Sequence, residues 1–386
     1  EANALRPWDR ERVLELFRQL EFLRLIEKYR LLEPEGTESA EEAPLQAVPV
    51  TAENLETLME ALSEASQAAI AVSPDLEAMA VAVGGTVYEV SSMELGLMEY
   101  PALLERVWTG DAAKVCHDSK AIRSALLRRG IEAQNITCDT ALLGYLLEPA
   151  RTKYPPIDLA GQYCGKTFPE GLAGEAAAIL ALSETLPALV RDSGMERVYE
   201  EIDFPLCPVL AEMEHQGVAV DRQALSDFGD MLAARIADCE ALIYGYAGGE
   251  FNINSTKQLG VLLFETLGLP HGKKTKSGWS TNIDVLESLR DKHPIIPAII
   301  DYRMLTKLRS TYAEGLLKVI DADGRIRTTF QNTVTATGRL SSTDPNLQNI
   351  PVRTELGGEI RKMFVAAPGN VLVDADYSQI ELRVLA

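Results

Sequence analysis

The chain has 386 residues, 46% of them apolar and 24% charged, with a formal net charge of −20; that is enough for two or three globular domains, and so acidic a sum argues against a generic, basic nucleic-acid binder. No apolar run approaches the roughly 20 residues that span a bilayer, and Glu1-Ala2-Asn3-Ala4 lacks the basic and apolar regions of a signal peptide, so no membrane partner is expected. The five cysteines (Cys116, Cys138, Cys164, Cys207, Cys239) are scattered, odd in number and without CxxC spacing, which points to reduced thiols in a cytoplasm rather than disulfides or zinc.

Residues 1–45 read as an N-terminal helix and a linker. Val13, Leu16, Phe17, Leu20, Leu23 and Ile26 keep helical spacing on a charged background. The acidic run from Glu33 to Pro44 follows as a solvated connector. Residues 46–195 begin with apolar runs at Ala68–Val72 and Met79–Val83, joined by a short turn, and a third at Thr86–Val90. Helical patterns come next, around Ala121–Leu127 and Thr140–Leu147. Strands followed by helices suggest an α/β layer.

From about Asp203 the pattern is helical. Leu206, Val209, Leu210 and Met213 are expected to share one buried face, with Gly217 ending the segment. Asp221 is placed to cap a long helix that buries Leu225, Phe228, Leu232, Ile236, Cys239, Leu242 and Ile243, and Gly248-Gly249 closes it. In Phe251-Asn252-Ile253-Asn254-Ser255-Thr256-Lys257-Gln258-Leu259, either Asn254 or Ser255 caps the next helix, which ends near Gly268. A basic loop, His271 to Thr281, contains Lys273, Lys274, Lys276 and Ser277. On its residues alone it is either a solvated loop or a set of phosphate contacts, aided by a helix start at Thr281-Asn282. Tyr302, Arg303, Lys307, Arg309 and Tyr312 then fall on a further helix with a basic face.

Charge is unevenly spread. From Glu250 to Ile350 there are thirteen Lys and Arg against ten Asp and Glu, about +3, which leaves about −23 for the rest. A locally basic strip between acidic walls is compatible with DNA in a defined groove, although charge alone favours an enzyme that does not act on DNA.

Two stretches near the C-terminus carry the chemistry. Thr337-Gly338-Arg339-Leu340-Ser341-Ser342-Thr343-Asp344-Pro345-Asn346-Leu347-Gln348-Asn349-Ile350-Pro351 is polar and turn-rich. Val371-Leu372-Val373 reads as a buried strand delivering Asp374 and Asp376, and Ile380 and Val384 begin a helix. A carboxylate on a rigid strand end is a means of fixing a hard cation such as Mg²⁺. Spacing alone does not separate Asp374 from Asp376, which would share a strand face.

TGRLSSTDPNLQNIP followed by DYSQIELR resembles the first sequence block of the family A DNA polymerases, the bacterial DNA polymerase I type; FNINSTKQL is similar to their thumb. KVCHDSKAIRSALLRRGIEAQNITCDTALLGYLLEP is similar to the 3′→5′ exonuclease domain of the same family. The resemblance implies an α/β and α+β multidomain fold. Residues 46–195 would be a ribonuclease-H-like exonuclease domain, 196–325 a palm-entry helix and helical thumb, and 326–386 the first part of the palm.

It also implies template-directed nucleotidyl transfer of deoxynucleoside triphosphates to a primer 3′-hydroxyl, with two Mg²⁺ ions. Asp376 matches a catalytic metal-binding carboxylate, and Tyr377 would add its carbonyl, leaving Asp374 a bystander. Gln379 and Ile380 would line the nucleotide pocket, and Glu381 would crowd the 2′ position of the incoming sugar. Arg339, Gln348 and Asn349 would contact primer-template DNA in the minor groove, where purine N3 and pyrimidine O2 are shared by all four pairs. Arg383 is expected as a nearby polar contact. Asn254, Ser255, Thr256, Lys257, Lys273, Lys274, Lys276 and Ser277 would meet the DNA backbone.

Proofreading by this family needs about four carboxylates around two metal ions. Only Asp139 stands where the resemblance requires one. Ile122 replaces another, the late helix reads Gly174-Glu175-Ala176-Ala177-Ala178-Ile179 without Tyr or Asp, and Asp75-Leu76-Glu77 lies in a turn. The exonuclease domain is therefore expected to be inactive. Cys116-His117-Asp118 imitates the family's second polymerase carboxylate motif but lies about 260 residues too early, so it reads as a loop pair. The sequence stops at Ala386, before the fingers and the second carboxylate, and shows no 5′-nuclease domain. The expectation is a chain that does not polymerise alone and needs a C-terminal fingers and palm portion, in the same or another chain. The rival reading is a non-catalytic DNA-binding half that acts only with such a partner.

Overall fold

The computed structural model describes residues 10–19, 41–42, 45–270, 274–275, 278–352 and 354–386. They fall into two units, Glu1–His215 with Gln331–Leu340, and Gln216–Phe330 with Ser341–Ala386.

Alternation of alanine with larger apolar residues builds the centre of the first unit. Strands β1 (Glu41–Glu42), β2 (Ala47–Pro49), β3 (Ala68–Val72), β4 (Ala78–Val83), β5 (Thr86–Ser91), β6 (Lys114–Cys116) and β7 (Ile136–Asp139) precede a short β8 (Lys166–Thr167). Six of them form one mixed sheet in the order β2-β5-β4-β3-β6-β7. The antiparallel β3–β4 hairpin at its centre pairs Ala69 with Ala82, Ile70 with Val81 and Ala71 with Ala80, so like faces like. Because strand side chains alternate between faces, Ile70, Met79, Val81 and Val83 point to one core and Ala69, Ala71, Ala80 and Ala82 to the other.

The larger residues pack with α2 (Leu55–Glu64), α3 (Ser92–Thr109) and α4 (Ser119–Arg128), which contribute Leu58, Trp108 and Leu126; an earlier helix, α1 (Arg10–Gln19), leaves Leu16 exposed. Against the alanine face lie α5 (Thr140–Leu147), α6 (Pro156–Cys164) and α7 (Leu172–Asp192). Contrary to the sequence expectation, α7 is long and apolar enough to cross a bilayer. Instead it buries Ala173, Ala176, Ile179, Leu182 and Leu186 on the sheet. Leu20, Leu23 and Ile26 and most of the acidic connector lie outside the described residues. The described pair Glu41–Glu42 runs parallel to Lys166–Thr167 as a short ladder.

A π-type turn at Tyr199–Asp203 leads into α8 (Phe204–Gln216). The expected buried face there is corrected. Cys207, Leu210, Ala211 and Glu214 are buried, while Val209 and Met213 are exposed. The cause is an ion pair. Lys120 Nζ lies 2.8 Å from Glu214 Oε1, both side chains being 4% exposed, and Ser124 Oγ donates to Glu214 Oε2 at 2.5 Å. A glutamate with such partners turns its own face inward and a methionine outward.

The second unit is mainly helical. In α9 (Arg222–Ala247) Leu225, Phe228, Leu232, Ile236 and Ile243 are buried, and Asp221 caps the start by accepting from Ala224 N at 2.9 Å. Leu242, expected inside, is 55% exposed; it sits one residue from Ile243, on the edge of the stripe. Further helices are α10 (Thr256–Val261), α11 (Ile283–Ser288), α12 (Ile295–Lys307) and α13 (Glu314–Lys318). Their apolar residues share a core with Ile326, Ile360 and Met363.

Strand β9 (Val218–Val220) is the middle of a three-stranded antiparallel sheet. It lies between the strands Arg325–Ile326 and Phe364–Val365. The turn into it needs glycine. Gly217 has φ +59°, and a Cβ there would stand 2.7 Å from the Ile326 carbonyl.

Candidate nucleic-acid interface

Between the strand Ser341–Thr343 and α14 (Glu355–Lys362) the second unit carries a polar loop. Gln348 and Asn349 are exposed on it, while Leu347 and Ile350 pack against the core. The loop backbone is tied down by side chains. Asn346 Oδ1 accepts from Gln348 N at 3.0 Å and from Asn349 N at 3.3 Å, an Asx turn. Leu347 N donates to Ser342 Oγ at 3.1 Å, and Ser342 Oγ lies 2.6 Å from Thr328 Oγ1. Thr328 Oγ1 also reaches the carbonyls of Pro345 at 2.8 Å and Thr343 at 3.0 Å. At the far end the Tyr312 hydroxyl donates to the Asn349 carbonyl. Gln348 and Asn349 are thus exposed on a fixed main chain. Arg339 is exposed and belongs to the first unit, where its carbonyl accepts from Thr335 Oγ1 at 2.5 Å.

The stretch from Val371 to Tyr377 departs from expectation. It is not a strand, and Val371, Leu372 and Val373 are 80%, 61% and 84% exposed. An apolar run becomes a buried strand only where a neighbouring strand takes its backbone groups and another layer its side chains. Among the described residues no strand pairs with this one. The argument that Asp374 and Asp376 share a strand face therefore does not apply, and both carboxylates are exposed. Helix α15 (Ile380–Leu385) does begin at Ile380, after Gln379 at φ +54°. Tyr377, Gln379, Ile380, Glu381 and Arg383 are exposed around its first turn, with Arg383 Nε donating to the Ser378 carbonyl at 3.1 Å.

In the FNINSTKQL segment Ser255, not Asn254, caps α10, accepting from Gln258 N at 3.4 Å. Asn254 Nδ2 donates to the Tyr302 hydroxyl at 3.2 Å. Thr256 and Lys257 remain exposed on the first turn. Lys273, Lys276 and Ser277 lie outside the described residues, and Lys274 is placed by its backbone in a two-stranded ladder with Gly278–Trp279. The basic face expected on one helix is divided: Tyr302, Arg303 and Lys307 lie on α12, with Lys307 exposed, and Arg309 and Tyr312 lie in the π-helical turn Leu308–Ala313 that follows. Arg303 donates to the Thr281 carbonyl and hydroxyl, Tyr302 and Tyr312 are buried, and Arg309 pairs with Glu314 at 3.0 Å.

The candidate exonuclease carboxylates of the first unit are also engaged. Asp139 is 1% exposed and accepts from four backbone N–H groups, those of Asp118, Ser119, Ala141 and Leu142, at 2.6 to 3.3 Å. Around it, burial pushes the thiols of Cys138 and Cys207 up to about 12, with the Asp139 charge adding to the effect. Burial likewise holds the His117 imidazole below its usual range, against the opposing pull of the Asp139 charge, and raises the Asp118 carboxyl, where Asp139 adds to the rise. Asp75 accepts from Ser73 Oγ at 2.6 Å, and Glu77 pairs with Arg129 at 2.6 Å, both in the β3–β4 turn. Lys120, Glu214, Thr328 and Ser342 were not legible as partners. Each pair joins residues far apart in the chain, and no periodicity marks a buried hydroxyl or ion pair.

The sequence model of the family described as DNA polymerase family A matches residues 222–386. The DNA polymerase I of Caldicellulosiruptor bescii is 38% identical over 99% of this chain and 44% of its own length. That of Geobacillus stearothermophilus is 40% identical over 98% of this chain and 46% of its own length. A solved structure described as the POL domain of Pol1 from M. smegmatis, in complex with DNA primer-template and dNTP, superposes with a TM-score of 0.75 at 34% identity, covering 88% of this chain and 62% of that one. The chain thus spans less than half the length of these curated relatives.

Proposed function

Because this chain belongs to DNA polymerase family A through residues 222–386, we propose that it serves template-directed DNA synthesis, the transfer of a deoxynucleoside triphosphate to a primer 3′-hydroxyl. The observation that carries the reading is the exposed pair Gln348 and Asn349 on a loop whose backbone is fixed by hydrogen bonds. Amide donors held in this way suit a sequence-independent check of pair shape from the minor groove. Arg339, in the first unit, is a separate exposed cation for contact with the DNA. Thr256 and Lys257 meet phosphates, while Ser255 and Asn254 act by capping α10 and tying it to Tyr302.

The Asp376 carboxylate and the Tyr377 carbonyl are hard oxygen donors of the kind Mg²⁺ takes alongside water and substrate phosphates, so the donor set fits that ion. Bound there, Mg²⁺ supplies charge neutralisation and a more acidic primer hydroxyl. Gln379 and Ile380 bound the deoxynucleotide, and Glu381 disfavours a 2′-hydroxyl. The six-stranded mixed sheet with helices on both faces supports a ribonuclease-H-like domain in the first unit. That domain does not proofread. Asp139 gives its oxygens to backbone N–H groups, and Asp75 and Glu77 are held by Ser73 and Arg129 in an exposed turn.

Fluorescence anisotropy with a labelled primer-template tests the reading. Binding should weaken linearly in log–log form as salt rises, because phosphate contacts release counterions. The double substitution Q348A/N349A should weaken it by about tenfold, as expected for two lost hydrogen bonds of about 0.7 kcal/mol each. No binding at low salt, or a double variant that binds like the parent, refutes the proposal. Excision of a mismatched 3′ nucleotide refutes the claim about proofreading.

A further inference from the structure

The loop that presents Gln348 and Asn349 is held by two hydroxyls that the family resemblance did not single out. Ser342 is 1% exposed and Thr328 8%, so neither can trade its partners for water without opening the loop. Their hydrogen bonds can be counted. Leu347 N–H occupies one lone pair of Ser342 Oγ. Of the two hydroxyl protons, one must bridge the oxygens, which are 2.6 Å apart. If Thr328 donates the bridge, the Ser342 proton is left for the Pro345 carbonyl at 3.3 Å; if Ser342 donates it, the Thr328 proton goes to the Pro345 carbonyl at 2.8 Å or the Thr343 carbonyl at 3.0 Å. Either way the pair joins the N–H of Leu347 to a carbonyl at Pro345 or Thr343 through two buried side chains. Asn346, between them, holds the N–H groups of Gln348 and Asn349. Tyr312 holds the Asn349 carbonyl from the other side.

We propose that Thr328 and Ser342 are positioning residues for Gln348 and Asn349, with Tyr312 as the second anchor. They touch no substrate and act through the loop backbone. Donors that test the shape of a base pair are useful only if their positions are fixed to about half an ångström, and a surface loop without such ties would not hold them. This rests on the reading of Gln348 and Asn349 as minor-groove contacts. Thr328→Val keeps the shape of the side chain and removes the bridging hydroxyl; Thr328→Ser keeps the hydroxyl.

The test is equilibrium binding of primer-templates whose terminal pair is either matched or mismatched, alongside thermal melting. The parent chain should prefer the matched terminus. T328V should melt cooperatively yet bind the matched end about fivefold more weakly, the equivalent of one hydrogen bond, and lose most of the preference. T328S should retain it. Tyr312→Phe should show the same loss as T328V, and carries the test if T328V does not fold. T328V and Tyr312→Phe keeping the full preference while Q348A/N349A loses it overturns the positioning role alone. T328S losing as much as T328V overturns it too. A Q348A/N349A variant with unchanged preference overturns the minor-groove reading beneath it.

Discussion

His117 and Asp118 show how single residues in the first unit respond to burial in opposite senses. His117 sits beside Thr140, Nδ1 to Oγ1 2.8 Å, and burial keeps its pKa below the ordinary value of about 6.5. The folded chain thus holds a neutral imidazole where the unfolded chain takes up a proton. Stability is retained above about pH 6.5 and falls as the pH drops below it. Asp118 has a raised carboxyl, so its contribution is present at low pH and is lost as the pH rises through its folded value. Urea unfolding of the first unit should therefore show a falling midpoint between pH 7 and pH 5.5. His117→Asn should flatten that slope; an unchanged slope would show that the imidazole is not the responsible group. Asp139 was legible in the sequence only as a carboxylate. Its four backbone donors made it a cap on α5 and a tie to the start of α4, which no spacing rule conveys.

At the scale of elements, the three central strands of the first unit, β3, β4 and β5, were legible as apolar runs, whereas β2, β6 and β7 were not. The helices at Ser119–Arg128 and Thr140–Leu147 were legible because their periodicity and caps are local. Two further features were misread. The buried face of α8 is set by Lys120 and Ser124, which lie 94 and 90 residues from Glu214 in the chain. The run from Val371 to Val373 has strand composition but no ladder among the described residues. Lys120→Ala should cost about 3 to 5 kcal/mol in chemical denaturation, because it leaves Glu214 buried without its cation. The double variant Lys120→Met/Glu214→Leu should recover most of that loss. If the single and double variants are equally unstable, packing rather than charge decides the face of α8.

For the whole molecule, composition was the weakest guide. A net charge of −20 pointed away from DNA, and only the near-neutral to basic character of residues 250–350 pointed back. The motifs of the last 50 residues outweighed both, since they specify side chains at fixed positions rather than an average.

The first unit is not one continuous stretch. Its final piece, Gln331–Leu340, is supplied after the chain has passed through the helices of the second. There the Thr335 carbonyl accepts from the Tyr145 hydroxyl at 2.7 Å, and Asn332 Nδ2 reaches Cys207 Sγ at 3.6 Å. Dissecting the gene at residue 215 would therefore remove a plug from the fragment it was meant to isolate. A 1–215 fragment should melt below the same fragment extended through a short glycine-serine bridge by residues 331–340. Equal melting points would mean that the decapeptide is a passenger.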